Sequence, residues 1–499
     1  MDFLAHLGSG FAVALTPWNL AYAFLGAFIG TAVGVLPGLG PPATIALLLP
    51  VTYGMDSVSA VIMLAGIFYG AQYGGSTTSI LLNIPGEASS VVTCLDGYQM
   101  ARQGRAGRAL GISAIGSFIG ATISIVLMSM VSPTLASFAL KFGPAEYSSL
   151  VLVGLLMSVY LGGDSVLKGI LMLIFGLVLG VVGLDPVHGA PRFTFGITRM
   201  LDGIDFVVAA MGLYGIAEVL TNLEAPEVRD VYKSSIKGIL PNLADWKKSW
   251  LPILRGSFLG FFVGVLPGGG ATISSFVAYA LEKRVSKHPG EFGKGAIEGV
   301  ASPESANNAA SQSSFIPLLT LGIPGNASIA MIFMAIMIHG ILPGPTLLVD
   351  HPNLFWGVIA SMYIGNLMLL ALNLPLIGFW TRLLRVPYPY LAVVIVIICI
   401  VGAYSIKDSA FDVGMMTVFG LLGYFLRKGG FPAAPLVLAM ILGNILERNV
   451  HQSMSVSGGD PMIFIEKPIS AMLLAVGVLI LLIPLFKWGW KRFMLTQTV

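Results

Sequence analysis

The sequence predicts an all-α polytopic membrane protein made of two inverted-topology repeats, each with a re-entrant hairpin and a broken helix. Three observations predict it. Apolar residues make up 56% of the 499 residues and charged residues only 10%, against about 25% charged in soluble domains. The apolar runs are long and continuous rather than alternating at period two, which selects helices over a barrel. The chain also repeats itself, a common property of secondary transporters. Disorder is excluded, because it requires low hydrophobicity. The two cysteines, Cys94 and Cys399, form neither a metal-ligand spacing nor a disulfide framework. A net charge of +3 without a basic block gives no sign of nucleic-acid binding. The first Lys or Arg is Arg102, so the basic start of a cleavable signal peptide is missing.

The repeat rests on three matches in the same order. Phe28 to Gly40 reads F-x-G-x-x-V-G-V-L-P-G-L-G, and Phe258 to Gly270 reads F-x-G-x-x-V-G-V-L-P-G-G-G. Ile84-Pro85-Gly86-Glu87-Ala88-Ser89 matches Ile323-Pro324-Gly325-Asn326-Ala327-Ser328. Ala210-Met211-x-Leu213-x-x-Ile216-x-Glu218 matches Ala439-Met440-x-Leu442-x-x-Ile445-x-Glu447. The expected organisation is an N-terminal segment (1–16), repeat 1 (17–222), a cytoplasmic linker (223–250), repeat 2 (251–450) and a C-terminal extra helix with its tail (451–499).

Charge sets the orientation. Arg229, Lys233, Lys237, Lys247 and Lys248 place the linker inside, and Lys487, Lys491 and Arg492 place the C-terminus inside. Glu218 then lies near the inside. Glu447, one span before the C-terminus, lies near the outside, so the repeats are inverted. Basic residues flank the apolar stretch between Arg255 and Lys283 on both sides, and one crossing would strand one of these clusters outside. A re-entrant hairpin keeps both inside, its tip at Pro267–Gly270. Arms of about 12 residues reach about 18 Å, just past the middle of a ~30 Å core. By symmetry the hairpin at 17–52 enters from outside, with Pro37–Pro41 at its tip; a full span remains the alternative there. Each half continues with a broken segment (58–98 and 296–342) and four spans. In half one these are 108–131, 146–162, 166–184 and 204–221, and in half two 354–380, 388–404, 409–426 and 432–447. A last span, 468–487, makes eleven crossings. Of the 27 Lys and Arg, only Lys141, Arg192, Arg199, Lys407, Arg448 and Lys467 then fall outside.

Pro-Gly clusters inside apolar stretches break helices, which is tolerated only where the backbone is buried in protein or lines a cavity. Helix ends freed at the midplane offer N–H groups to anions and carbonyls to cations. The expected substrate site therefore takes Pro37, Gly38, Gly40, Pro41 and Thr44 from tip one, and Pro267, Gly268, Gly270 and Thr272 from tip two. From the broken segments it takes Ser76, Thr77, Thr78, Asn83, Pro85 and Gly86, then Ser313, Ser314, Pro324, Gly325 and Asn326. Close helix packing explains any single break equally well, and back-bonding explains any single Ser or Thr. No Lys or Arg lies in these stretches, so a multiply charged anion needs co-bound cations. Glu87, Glu304, Asn307 and Asn308 are the candidate coupling residues. An acid at membrane depth is a functional candidate by default, although Glu87 and Glu304 would serve equally as helix caps or loop residues. No cofactor is expected, and no metal beyond a transported Na⁺. Zincin, Walker and nucleophile-elbow motifs are absent.

The combined motifs are Gly34-Val-Leu-Pro-Gly-Leu-Gly-Pro41, Asn83-Ile-Pro-Gly-Glu87, Gly264-Val-Leu-Pro-Gly-Gly-Gly270, Ser302-Pro-Glu-Ser-Ala-Asn-Asn308 and Gly322-Ile-Pro-Gly325. Over nearly the whole chain they resemble the large membrane subunit, TctA, of the tripartite tricarboxylate transporters. The resemblance implies a multi-pass permease of the bacterial inner membrane, working with a small membrane subunit (TctB-like) and a periplasmic substrate-binding protein (TctC-like). It further implies uptake of citrate-like or other carboxylates by symport with Na⁺ or H⁺, and an elevator-type architecture like that of ion transporters. The rival readings are a stand-alone small-anion channel or exporter, and a membrane-embedded enzyme using Asp164 or Asp460.

Overall fold

The computed structural model describes residues 2–36, 40–160, 165–185, 188–224, 238–266, 268, 270–384 and 386–496. Of the expected site residues, Pro37, Gly38 and Pro267 lie outside the described residues, as do Asp164 and residues 225–237 of the expected linker.

The chain is helical almost throughout. It opens with α1 (Asp2–Ala14), α2 (Pro17–Val35), α3 (Pro41–Thr52), α4 (Ser57–Leu82), α5 (Val91–Arg102) and α6 (Ala106–Ala139). Next come α7 (Pro144–Ser158), α8 (Val166–Gly180), a two-stranded antiparallel ribbon of β1 (Gly183–Leu184) and β2 (Pro191–Arg192), α9 (Phe206–Ala210) and α10 (Ala217–Glu224). The second half runs through α11 (Leu243–Val265), α12 (Gly270–Val285), α13 (Glu298–Ser313), α14 (Phe315–Leu321), α15 (Ala327–Ile338), α16 (Leu347–Asp350), α17 (Pro352–Asn373) and α18 (Ile377–Leu383). It ends with α19 (Tyr388–Lys407), α20 (Ala410–Lys428), α21 (Ala433–Val456), α22 (Ile463–Glu466) and α23 (Pro468–Thr496). Local chemistry sets many of the starts. Pro stands in the first turn of α2, α3, α7 and α17, where its missing N–H costs nothing. Asp56 caps α4 by accepting from the N–H groups of Val58 and Ser59.

Eight helices are long and apolar enough to cross a membrane among the described residues, so the protein is a multi-pass membrane protein. Eleven crossings were expected. The helices at two of the expected spans, α7 and α8, have 15 residues each, about 22 Å long against a ~30 Å core. The 354–380 segment divides into α17 and α18 at Leu374–Leu376. The segment expected at 204–221 is one run, Phe206–Glu224, that passes through a π-helical turn at Met211–Ile216. Two further helical stretches have no counterpart in the sequence reading. The N-terminal segment forms α1, which lies against α17 with His6 stacked on Trp356. And α11 begins inside the expected linker, because Asn242 and Asp245 form a capping box.

The chain forms two compact units, and each takes residues from both halves of the sequence: 1–137 with 207–424, and 138–206 with 425–499. In the second unit α21 packs on α7 and α8, and α23 on α7. Arg192 there bridges Asp185 and Glu447, each at 2.6 Å.

The first unit holds both copies of the Val-Leu-Pro-Gly and Ile-Pro-Gly motifs, and a stripe of glycines seats the first arm of each hairpin on the neighbouring broken segment. Gly26, Gly30 and Gly34 of α2 lie on the α4 backbone; a Cβ on them would fall 2.2–2.4 Å from the carbonyl oxygens of Met63, Ile67 and Ala71. Gly256, Gly260 and Gly264 of α11 lie on α13 in the same way, with the carbonyls of Ser302, Ala306 and Ala310 also at 2.2–2.4 Å. Four-residue spacing of small residues lets two backbones touch where lipid offers no hydrophobic drive. The arms of hairpin two, α11 and α12, lie side by side and are clamped by Arg255, whose guanidinium donates to both oxygens of buried Glu282 at 3.0 and 2.6 Å. The halves then interleave: α3 of the first packs on α15 of the second, and α12 of the second on α5 of the first.

Candidate functional site

Both broken segments stop and restart in the same way. Asn83 ends α4 in the left-handed conformation (φ 60°), and Gly322 ends α14 likewise (φ 67°). After each Ile-Pro-Gly an extended residue opens the next helix. Glu87 caps a 3-10 turn (Ala88–Ser90) that leads into α5, and Asn326 caps α15 by accepting from the N–H of Ile329 at 3.0 Å. The hairpins meet these breaks. The N–H of Gly268 donates to the carbonyl of Gly325 at 3.0 Å, and Gly268 holds φ +116°, a conformation that favours glycine. In half one, a Cβ on Gly86 would fall 2.2 Å from the carbonyl of Gly34 and 2.5 Å from the Cα of Gly75.

The centre of the site is α13. All 16 of its residues are buried, yet more than half are polar and none is basic. A helix buried on every side is ordinarily apolar. Glu304 lies in its middle. One carboxylate oxygen accepts from the hydroxyls of Ser76 (2.5 Å), Ser113 (3.0 Å) and Ser117 (3.4 Å), and the other accepts from Thr93. These four hydroxyls come from α4, α5 and α6. Among the described residues no Lys, Arg or His pairs with Glu304. One turn on, Asn308 donates to Ser117 at 2.7 Å and to the Glu304 carbonyl at 3.1 Å. Asn307 donates to Glu87 at 3.4 Å, joining the break of one half to the polar helix of the other. Ser89 donates to both Glu87 and Gln72.

Several polar atoms of this helix are buried with no partner among the described residues: Oδ1 of Asn307, Oδ1 of Asn308, and both amide atoms of Gln312. Burying such groups unpaired costs about 1–3 kcal/mol each, so each needs an explanation, of which an absent ion or ligand is one. Carboxamide oxygens beside a carboxylate are hard oxygen donors of the kind that hold metal cations.

The other expected residues divide. Ser313 and Ser314 bond back to the carbonyls of Ala310 and Ser311, and Thr44 to that of Gly40. Thr78 donates to the carbonyl of Val35 at 2.9 Å, tying α4 to the end of α2. Thr77 lines a small gap with Tyr73, Ser113 and Asn373. Gly40 and Pro41 start α3, and Pro85 and Pro324 sit in the two breaks. Gly270 begins α12 with Asn326 beside it, and Thr272 follows in the same turn, half-buried. Sequence reasoning missed Thr93, Ser113 and Ser117, because nothing in an apolar helix marks which of its serines faces a carboxylate. It also missed the role of Asp96. This buried carboxylate accepts from the N–H groups of Gly293, Gly295 and Ala296 (2.8–2.9 Å) and from Tyr279 (2.9 Å), fixing the loop that enters α13.

Fold and site together define a multi-pass helical membrane protein with a buried polar centre between two broken, matched segments. Residues 20–438 match the tripartite tricarboxylate transporter TctA family. The chain belongs to that family, a family of transporters. It is 51% identical over 485 residues, 97% of each chain, to an Agrobacterium vitis protein described as an uncharacterized 52.8 kDa protein in the TAR-I ttuC′ 3′ region. A second A. vitis protein, from the TAR-II ttuC′ 3′ region, is 52% identical over 45% of this chain and 93% of its own length. A Methanocaldococcus jannaschii protein, MJ1079, is 25% identical over 54% of this chain and 64% of its own. No solved structure matches.

Proposed function

We propose that this chain is the large permease subunit of a tripartite transporter of the bacterial inner membrane. It takes up citrate-like or other carboxylates by symport with Na⁺ or H⁺, together with a small membrane subunit and a periplasmic binding protein. One observation carries the reading: a wholly buried polar helix, α13, with a carboxylate that no cationic side chain pairs and carboxamide oxygens left without partners among the described residues. A di- or tricarboxylate entering this site meets no Lys or Arg. Dehydrating its charge is expensive, and helix N-termini offset only about 0.3–2 kcal/mol each, so cations bind with it. Asn307, Asn308 and Glu304 are the proposed cation ligands, with Glu87 beside them. Gly268, Gly325 and Asn326 form the proposed substrate side of repeat 2, and Asn83 and Gly86 that of repeat 1.

The repeats are read as inverted, and the transport cycle as an elevator. The paired left-handed caps, the paired glycine stripes and the crosswise contacts of the halves support the repeat. The Arg192–Glu447 ion pair supports the sidedness, since charge placed both residues outside. Single cysteines test the topology: Ser457→Cys should react with an impermeant maleimide added to intact cells, and Ser286→Cys should not. The reverse pattern sinks the threading. Uptake tests the function. Proteoliposomes holding both membrane subunits should accumulate labelled carboxylate only when the cognate periplasmic binding protein is added. Uptake that ignores that protein would favour a stand-alone channel.

A further inference from the structure

A second polar site lies in the first unit, away from α13's centre. Arg105, Arg108, Lys248 and Lys294, with Asp245 and Glu291, line a cavity of about 590 Å³. Three helix starts border it: Arg105 directly precedes α6, Asn242 caps α11 and Ile297 precedes α13. Each is the positive end of a helix of at least 16 residues. The cations are only loosely engaged. Arg108 stands 3.7 Å from Asp245, and Lys248 3.7 Å from Glu291; at that distance, with each cation exposed, such pairs are weak. Lys294 makes no ion pair among the described residues. Arg105 is held in place by the Gly295 carbonyl at 2.8 Å, and Arg108 lies one helical turn further on, on the same face.

We propose that this cavity binds a phosphate ester that carries free hydroxyls: a glycerophosphate, either as the headgroup of a membrane lipid or free in solution. Two guanidiniums, two ammonium groups and three helix dipoles suit a phosphate, and planar forks engage it through two bonds at once. The remaining volume has room for more than a phosphate. Asp245 and Glu291, which a bare anion would avoid, accept hydrogen bonds from the hydroxyls of a glycerol group. Basic pockets at membrane-helix ends are a recurrent mode of headgroup recognition.

The test uses the full chain in nanodiscs. One arm measures, by native mass spectrometry, the phosphatidylglycerol retained from mixed phosphatidylglycerol–phosphatidylcholine discs. The other titrates glycerol 3-phosphate into protein held in phosphatidylcholine alone. K248Q/K294Q removes the two exposed lysines without touching the Arg105 anchor, and K283Q/K287Q removes two exposed lysines that do not line the cavity. Binding in either arm should fall roughly 25-fold in K248Q/K294Q, about fivefold per lysine, and hold in K283Q/K287Q. The arm that binds names the source of the ligand. No binding in either arm, no loss in K248Q/K294Q, or an equal loss in K283Q/K287Q overturns the proposal.

Discussion

Glu304→Gln should cut gradient-driven uptake by roughly tenfold to a hundredfold, the 1.5–3 kcal/mol scale of a bond to a charged group, and the protein should still fold. The carboxylate accepts four hydroxyl hydrogens. An amide of the same shape keeps one acceptor, and hydroxyls that face its NH₂ end rotate to accept instead. The charge is what disappears, and with it the anionic ligand of the proposed cation site. Initial rates in proteoliposomes, set beside thermal stability in detergent, separate the two effects. Glu304→Ala is the contrast. It leaves four hydroxyls facing a cavity, each at about 1–3 kcal/mol if unpaired, so it should lower stability as well. Unchanged uptake in Glu304→Gln would remove that residue from coupling.

Gly260→Val should leave no monodisperse protein at all. The Cβ alone would lie 2.2 Å from the carbonyl oxygen of Ala306 and 2.7 Å from its Cα, and both are backbone atoms that no rotamer change can move. The helices α11 and α13 must separate along their whole contact, at more than the ~1–3 kcal/mol of ordinary overpacking. Gly414→Ala in α20, where nothing lies within 4 Å of an added Cβ, should be silent. Size-exclusion profiles in detergent check both. A sharp Gly260→Val peak with normal uptake would mean that the hairpin does not lie on α13 as described.

The two helix breaks were readable because their signals are backbone signals. Ile-Pro-Gly cannot continue a helix, so its two copies mark two breaks wherever they stand. Glycines such as Gly30 and Gly260 appeared within the motif, but their meaning as contact points depends on a partner helix some 40 residues away, and the spacing of four extending back to Gly26 and Gly256 was the available clue. Glu304 stood out as an acid at membrane depth in a stretch without Lys or Arg. Its four hydroxyl partners did not, since Ser113 and Ser117 look like any helical serine until α6 is placed beside α13. The shortness of α7 and α8 was hidden for a related reason. Hydropathy continues past the ends of these helices, and only the backbone shows where the turns begin. The grip of Asp96 on the Gly293–Ala296 loop is a tertiary fact that no local signal marks.

Coupled uptake is tested most directly by the initial rate of labelled carboxylate entry into proteoliposomes that hold both membrane subunits, with the binding protein outside and the Na⁺ and proton gradients imposed one at a time. Symport through the α13 centre predicts a rate that rises steeply with one inward gradient and collapses when an ionophore dissipates it. The same rate of entry with both gradients abolished would contradict it.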